Sequence, residues 1–182
     1  MAERQLHGFT YQKDIIARYN LIDDKEYIGE WDAYYHDIPV SIKTEKYKTD
    51  IEMADIYRQY NINCDFILQV GFWKGNKNHI VEEHTLLIKA NEYHQLFDKN
   101  ILEEYKILLK EITNSHDDDT KWKKAINNLR SKWEKNTSNL IRPRPKRDHK
   151  EQKRIQCAIN NKDFYRVYLP KYEEVDFFER NH

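Results

Sequence analysis

The stretch 29–46, GEWDAYYHDIPVSIKTEK, gathers residue types that can do chemistry together. Read as two strands, its side chains alternate, which puts Glu30 and Asp32 on one face of the first strand. Ser41, Lys43 and Glu45 then share a face of the second. A hairpin pairing about His36-Asp37 brings Asp32 close to Ser41 and Lys43. Three acids beside one lysine make a poor stability device, because like carboxylates raise each other's pKa and exposed ion pairs contribute only about 0–1 kcal/mol. They suit Mg²⁺, one ion or two, which takes hard oxygen ligands and lowers the pKa of its bound water. Asp32, Glu30 and Glu45 are then the candidate metal ligands, and Lys43 orients or deprotonates a water or stabilises charge growing on a phosphate. The competing reading is a solvated hairpin face, which shows the same alternation.

The surrounding pattern must position those strands. Residues 8–21 place Phe9, Ile15, Ile16 and Tyr19 at helical spacing with Thr10 as cap. From Tyr27 the period drops to two, with Pro39 tolerated at the start of the second strand. Residues 50–60 return to a helical pattern. The run 65–73, DFILQVGFW, is apolar enough to be a central strand covered on both faces, and 79–90 follows it as another strand. Residues 91–113 and 118–135 read as helices, the latter with Trp122, Ile126, Leu129 and Trp133 on one stripe and Asp117, Asp118 and Asp119 at its start. Arg142-Pro143-Arg144-Pro145 reads as a basic loop, and RIQCAI and FYRVYL flank Asn160–Asp163 as a hairpin.

An N-terminal helix, a strand with Asp32, a strand carrying Ser41-Ile42-Lys43, then a helix and an apolar strand resemble the α-β-β-α-β core of the PD-(D/E)xK nucleases, which include type II restriction endonucleases and Holliday junction resolvases. The resemblance spans residues 8–90. It implies that Asp32 binds metal, that the Ile42 carbonyl points at the metal, and that Lys43 is the catalytic lysine. The residue two before that lysine is acidic in the family and is Ser41 here. A serine hydroxyl can hold a metal-bound water, and Glu30 or Glu45 can supply the charge. Weaker family positions fall near Gln12 or Asp14 on the first helix and near Glu52 or Asp55 on the next.

A nuclease must also hold a polyanion. Formal net charge is zero, with 31 Lys plus Arg against 31 Asp plus Glu, but residues 142–154 hold seven cations against two anions. Arg142, Arg144, Lys146, Arg147, Lys150, Lys153 and Arg154 are the expected phosphate contacts, and Arg154 with Gln156 could read bases from a strand whose Ile155, Cys157 and Ile159 face inward. Solvated strand and helix faces are the plainer reading, above all for the helix bearing Lys121, Lys123, Lys124, Arg130 and Lys132.

The 182 residues, 13% of them aromatic, can bury a core despite 34% charged residues. The expected fold is α/β, a mixed central sheet flanked by helices with a restriction-endonuclease-like core over 1–95. Residues 96–182 would form a helical and basic-hairpin extension packed on it. Apolar runs are too short to span a bilayer, so a soluble cytoplasmic protein without membrane contact is expected. Cys64 and Cys157 form no metal motif, and His79, His84 and His94 lack ligand spacing. No phosphate loop, GxGxxG or GxSxG occurs. The resulting expectation is a Mg²⁺-dependent restriction-type endonuclease on double-stranded DNA, a homodimer because one site cuts one strand. The alternatives are a junction resolvase, an inactive DNA-binding protein of the same fold, and an interaction protein unrelated to nucleic acid.

Overall fold

Alternation and apolar spacing resolve into seventeen elements in the computed structural model, which describes residues 3–23, 31–75, 79–114, 119–135, 140–147 and 153–177. In chain order these are α1 (Glu3–Arg18), β1 (Ile22–Asp23), β2 (Ala33–Tyr35), β3 (Ile38–Lys46), β4 (Ile51–Asp55), α2 (Ile56–Tyr60), β5 (Phe66–Lys74), β6 (His79–Ile88), α3 (Ala90–His94), α4 (Lys99–Asn114), α5 (Asp119–Lys135), β7 (Ile141–Arg147) and β8 (Lys153–Ile159). A continuous helical stretch follows: α6 (Asn161–Asp163), a π-helical turn (Phe164–Tyr168) and α7 (Leu169–Lys171); β9 (Glu173–Glu174) ends the series. The fold is α/β, with a mixed sheet and helices.

Two compact units share the chain. The first takes Met1–Ile51, Asn63–Ala90 and Asn161–His182; the second takes Glu52–Ile62 and Asn91–Asn160. This division is interleaved, where a single cut after residue 95 was expected.

In the first unit the sheet order is β1-β2-β3-β5-β6-β9, with β3 parallel to β5 and the other neighbours antiparallel. Central β5 is buried from Phe66 to Phe72, as its unbroken apolar run requires. Alternation sends Ile67 and Gln69 to one face, where Tyr11 and Ile15 of α1 join Ala33, Tyr35, Val40, Ile42 and Leu87 in the core. Gly71 belongs to this face because a Cβ there would collide with the Tyr11 ring. The opposite face is covered by the helical stretch, Phe72 meeting Phe164 at 5.8 Å and Tyr165 at 6.1 Å between ring centroids.

The second unit builds a three-stranded sheet, β4-β8-β7, whose Met53, Ile155, Cys157, Ile159 and Ile141 are fully buried. Trp133 of α5 donates its Nε1–H to the Ile141 carbonyl at 2.5 Å.

Several expected elements change. Helix α1 begins at Glu3, so Thr10 lies inside it and caps nothing. Residues 51–55 are strand, not helix, because pairing with β8 buries Ile51 and Met53 at period two. The helix expected over 91–113 breaks at 95–98, where the Asp98 carboxylate accepts the Ile101 N–H at 3.1 Å and starts α4 anew. Arg142–Pro145 is not a loop but part of β7, an edge strand, where missing proline donors cost no ladder bond. FYRVYL is not a strand: Phe164, Tyr168 and Tyr172, four apart, are buried on one side of the helical stretch, and the partner of β8 is β7. No helix among the described residues is long and apolar enough to cross a membrane.

Candidate active site

The two-residue turn His36-Asp37, with His36 at φ 52°, closes β2 onto β3 with Ala33 opposite Val40 and Tyr35 opposite Ile38. Regular β2 pairing ends at Ala33, yet Asp32 prolongs it, donating its N–H to the Val40 carbonyl at 3.0 Å. Just beyond, the Asp32 side chain replaces the missing strand, Oδ2 accepting the Ile42 N–H at 2.7 Å. Trp31 fixes the adjoining backbone by packing on Phe66, 5.3 Å between ring centroids.

Lys43 completes the arrangement. Its Nζ donates to Asp32 Oδ2 at 3.2 Å and to the Ile42 carbonyl at 3.2 Å. The Lys43 and Asp32 side chains are 20% and 29% exposed, so the pair sits at a surface that solvent and a ligand can reach. From α1, Gln12 brings its amide within 3.5 Å of the Asp32 carbonyl. Asp32 and Lys43, named from their types and spacing, and Ile42, named from the resemblance, therefore meet at one point.

The other expected residues distribute as follows. Ser41 and Glu45 alternate onto the face that carries Lys43, and both are nearly buried. Glu30 lies outside the described residues. Asp14 is engaged by Arg18, which also reaches Glu83 at 2.7 Å. In the second unit, Glu52 pairs with Arg144 at 2.5 Å and Asp55 caps α2, accepting from the Tyr57 and Arg58 N–H groups at 2.9 and 3.0 Å. Both weaker family positions expected on the second helix are thus occupied in structural contacts, Glu52 on β4 and Asp55 at the cap of α2.

For a cation, the convergence of a carboxylate oxygen and a backbone carbonyl on Lys43 Nζ matters most. These are hard oxygen donors, of the kind Mg²⁺ takes, and in chemistry they fit that ion. Among the described residues no group of three or more His, Cys, Asp or Glu gathers to hold a metal. Of the two acids expected to add charge for such an ion, Glu45 lies on the Lys43 face and Glu30 is outside the described residues.

A histidine extends the same sheet face. Lys43 is opposite Val70 and Val70 opposite His84; Glu45 is opposite Phe72 and Phe72 opposite Glu82. His84 Nε2 lies 2.6 Å from Glu82 Oε1 and Nδ1 lies 3.8 Å from Glu174, with Phe72, Phe164 and Tyr165 around the ring. His84 is thus partnered within the sheet. Its alignment with Lys43 needed the β3–β5–β6 register, which no local pattern supplies.

The basic segment forms a ribbon. Arg142 is exposed, Gln156 is half-buried opposite Arg144, and Ile155, Cys157 and Ile159 face inward as expected. Lys146, Arg147, Lys153 and Arg154 lie in the ladder, with only their backbone described; Lys150 is outside the described residues. On α5, Arg130 pairs with Glu134 and Lys132 with Glu104, as a solvated helix face does. Burial, then the charges of Asp55 and Glu52, push the Cys157 thiol well above its ordinary range. Set against known protein families, curated proteins and solved structures, the chain matches none.

Proposed function

We propose that this chain is a Mg²⁺-dependent endonuclease of the PD-(D/E)xK kind that hydrolyses phosphodiester bonds in double-stranded DNA, restriction-type, acting as a homodimer. One observation carries the reading: Lys43 Nζ is held 3.2 Å from both Asp32 Oδ2 and the Ile42 carbonyl, across a tight antiparallel hairpin. The order of elements, helix α1, the short β1, hairpin β2–β3, then β4, helix α2 and apolar strand β5 parallel to β3, supports the same core apart from the inserted β1 and β4.

Asp32, the Ile42 carbonyl and Glu30 or Glu45 would hold Mg²⁺. Such an ion would lower the pKa of a bound water and offset charge on the phosphate. The chain's own groups do the rest. Lys43, an ammonium beside a carboxylate, donates hydrogen bonds to the attacking water or to a phosphate oxygen whose charge grows as the P–O bond breaks. Asp32 holds that ammonium in place before substrate arrives, and Ser41 lies beside it on the same face to orient water. A second strand break needs a second site, hence the dimer.

A second reading, a DNA-binding protein of this fold without hydrolysis, draws on Ser41, nearly buried where the resemblance expects an acid. Incubating the protein with mixed-sequence plasmid and Mg²⁺, and repeating with Lys43→Ala, decides between them. Discrete fragments that vanish in the variant support the restriction reading. Smearing marks a nonspecific nuclease, selective cutting of four-way junctions marks a resolvase, and binding without cleavage marks the inactive fold.

A further inference from the structure

The ribbon β7–β8 pairs its residues in a way that stability alone does not explain. Arg144 stands opposite Gln156, Lys146 opposite Arg154 and Arg147 opposite Lys153. Like charges directly opposite one another destabilise an antiparallel pair, and here two cation-on-cation rungs are consecutive. They occupy the far end of the ribbon. Its near end is anchored, with Ile141, Cys157 and Ile159 fully buried and Glu52 bonded to Arg144 at 2.5 Å. The connecting residues 148–152 contain two anions, Asp148 and Glu151, and one further cation, Lys150. Two anions cannot balance four rung cations and a fifth.

Adjacent rungs alternate between the two faces of a ribbon. Lys146 and Arg154 therefore hold positions on one face, and Arg147 and Lys153 on the other. A flat anionic surface would be met by cations on one face only. Cation positions on both faces of a two-stranded ribbon suit insertion between two walls of phosphate, and the major groove, about 12 Å wide, admits such a ribbon.

We propose that the β7–β8 ribbon is a phosphate clamp for duplex DNA, in which the groove walls supply counter-charge to the Lys146/Arg154 and Arg147/Lys153 rungs. This rests on the DNA reading given above for its partner, and not on hydrolysis. The melting temperature of the free protein and its affinity for DNA are two readouts of the same rungs.

The test is Lys146→Glu, which turns a repulsive rung into an attractive one, with Lys146→Gln as the charge-neutral companion. Binding of a short labelled duplex is followed by fluorescence anisotropy in EDTA across a salt series, and thermal unfolding is followed without DNA. Lys146→Glu should melt about 1–4 °C above the unmodified protein, yet bind duplex roughly tenfold or more weakly, with the slope of log affinity against log salt shallower by about 1–2. Lys146→Gln should lower that slope by about 0.9. An unchanged salt slope in both variants overturns the clamp, as does a lower melting temperature in Lys146→Glu. Because binding is read without Mg²⁺, the two proposals fail separately. Weakened binding by the variants, with no Lys43-dependent cleavage by the unmodified protein, upholds the clamp and overturns hydrolysis. Lys43-dependent cleavage with unchanged slopes does the reverse, and an unmodified protein that binds no duplex overturns the clamp outright.

Discussion

Asp32 holds two positions at once, and substitution can separate them. Its Oδ2 completes the edge of β3 by accepting the Ile42 N–H, and its charge holds Lys43. Asp32→Ala removes both. The half-buried N–H left without an acceptor costs about 1–3 kcal/mol, and the partly exposed ion pair, discounted for solvent, adds about 0–1 kcal/mol. At about 2–4 °C per kcal/mol for a chain of this size, the melting temperature should fall by roughly 2–16 °C. Asp32→Asn keeps an oxygen that accepts from Ile42 and loses only the charge, so it should melt within about 4 °C of the unmodified protein. Activity should divide differently. Both variants lose the charge that holds Lys43 and that the proposed mechanism gives to a divalent ion, and plasmid cleavage should fall roughly 10²-fold or more in each. Thermal unfolding by circular dichroism and plasmid cleavage on the same preparations give the comparison. If Asp32→Asn cuts within a few-fold of the unmodified protein, Asp32 is only an edge cap and the catalytic assignment fails. If Asp32→Asn melts as low as Asp32→Ala, the account of the Ile42 hydrogen bond fails instead.

Gly71→Ala should destabilise the protein by about 1–3 kcal/mol in urea unfolding, because the added methyl meets the Tyr11 ring in a packed layer; a neutral result would show that α1 can move away from β5. Cys157 is buried and its thiol is pushed up, while Cys64 is half-buried, so a thiol reagent should label one cysteine quickly, and peptide mapping should find it to be Cys64. The same burial links stability to pH. Cys157 stays protonated in the folded chain while the unfolded thiol ionises from about pH 8.5, so the stabilisation is complete below that pH and is lost as pH rises. Tyr11, Tyr57 and Tyr105, each raised by burial, extend the loss above about pH 10, and urea titrations on either side of pH 8.5 check the direction. Ala54 sits at φ 71°, where glycine is at ease and β-branched residues are not, so Ala54→Gly should be neutral or stabilising and Ala54→Val should cost about 1–2 kcal/mol.

What could be read before the structure was what local patterns determine. Residues 33–46 alternate cleanly about a polar turn, so the hairpin and the meeting of Asp32 with Lys43 followed from period and register alone. The run from Phe66 to Phe72 announced a strand covered on both faces because nothing polar but Gln69 interrupts it, and that glutamine is satisfied by Tyr11 and Thr85. The misreadings share a different cause. Residues 51–60 carry Ile51, Ala54 and Tyr57 at helical spacing and Ile51 and Met53 at strand spacing, and only pairing with β8, a hundred residues on, chooses between them. FYRVYL has strand composition, yet the four-residue spacing from Phe164 to Tyr168 to Tyr172 marked the buried side of a helix. Prolines 143 and 145 suggested a loop because an edge strand, which excuses them, is defined by its neighbours.

The same contrast governs how far function follows from form. The Asp32–Lys43 pair is local, two strands and one turn, and its geometry is as plain in sequence as in three dimensions. The row running from Lys43 through Val70 to His84, and the cation rungs of β7–β8, come from pairings between distant segments. A hairpin face with one ion pair is common on antiparallel sheets, so the local feature by itself distinguishes catalysis poorly from solvation. A ribbon that sets cations against cations does not serve its own stability. For that reason the ribbon, though remote in sequence from the Asp32–Lys43 pair, is the stronger support for the proposed DNA partner, and the pair for the proposed hydrolysis.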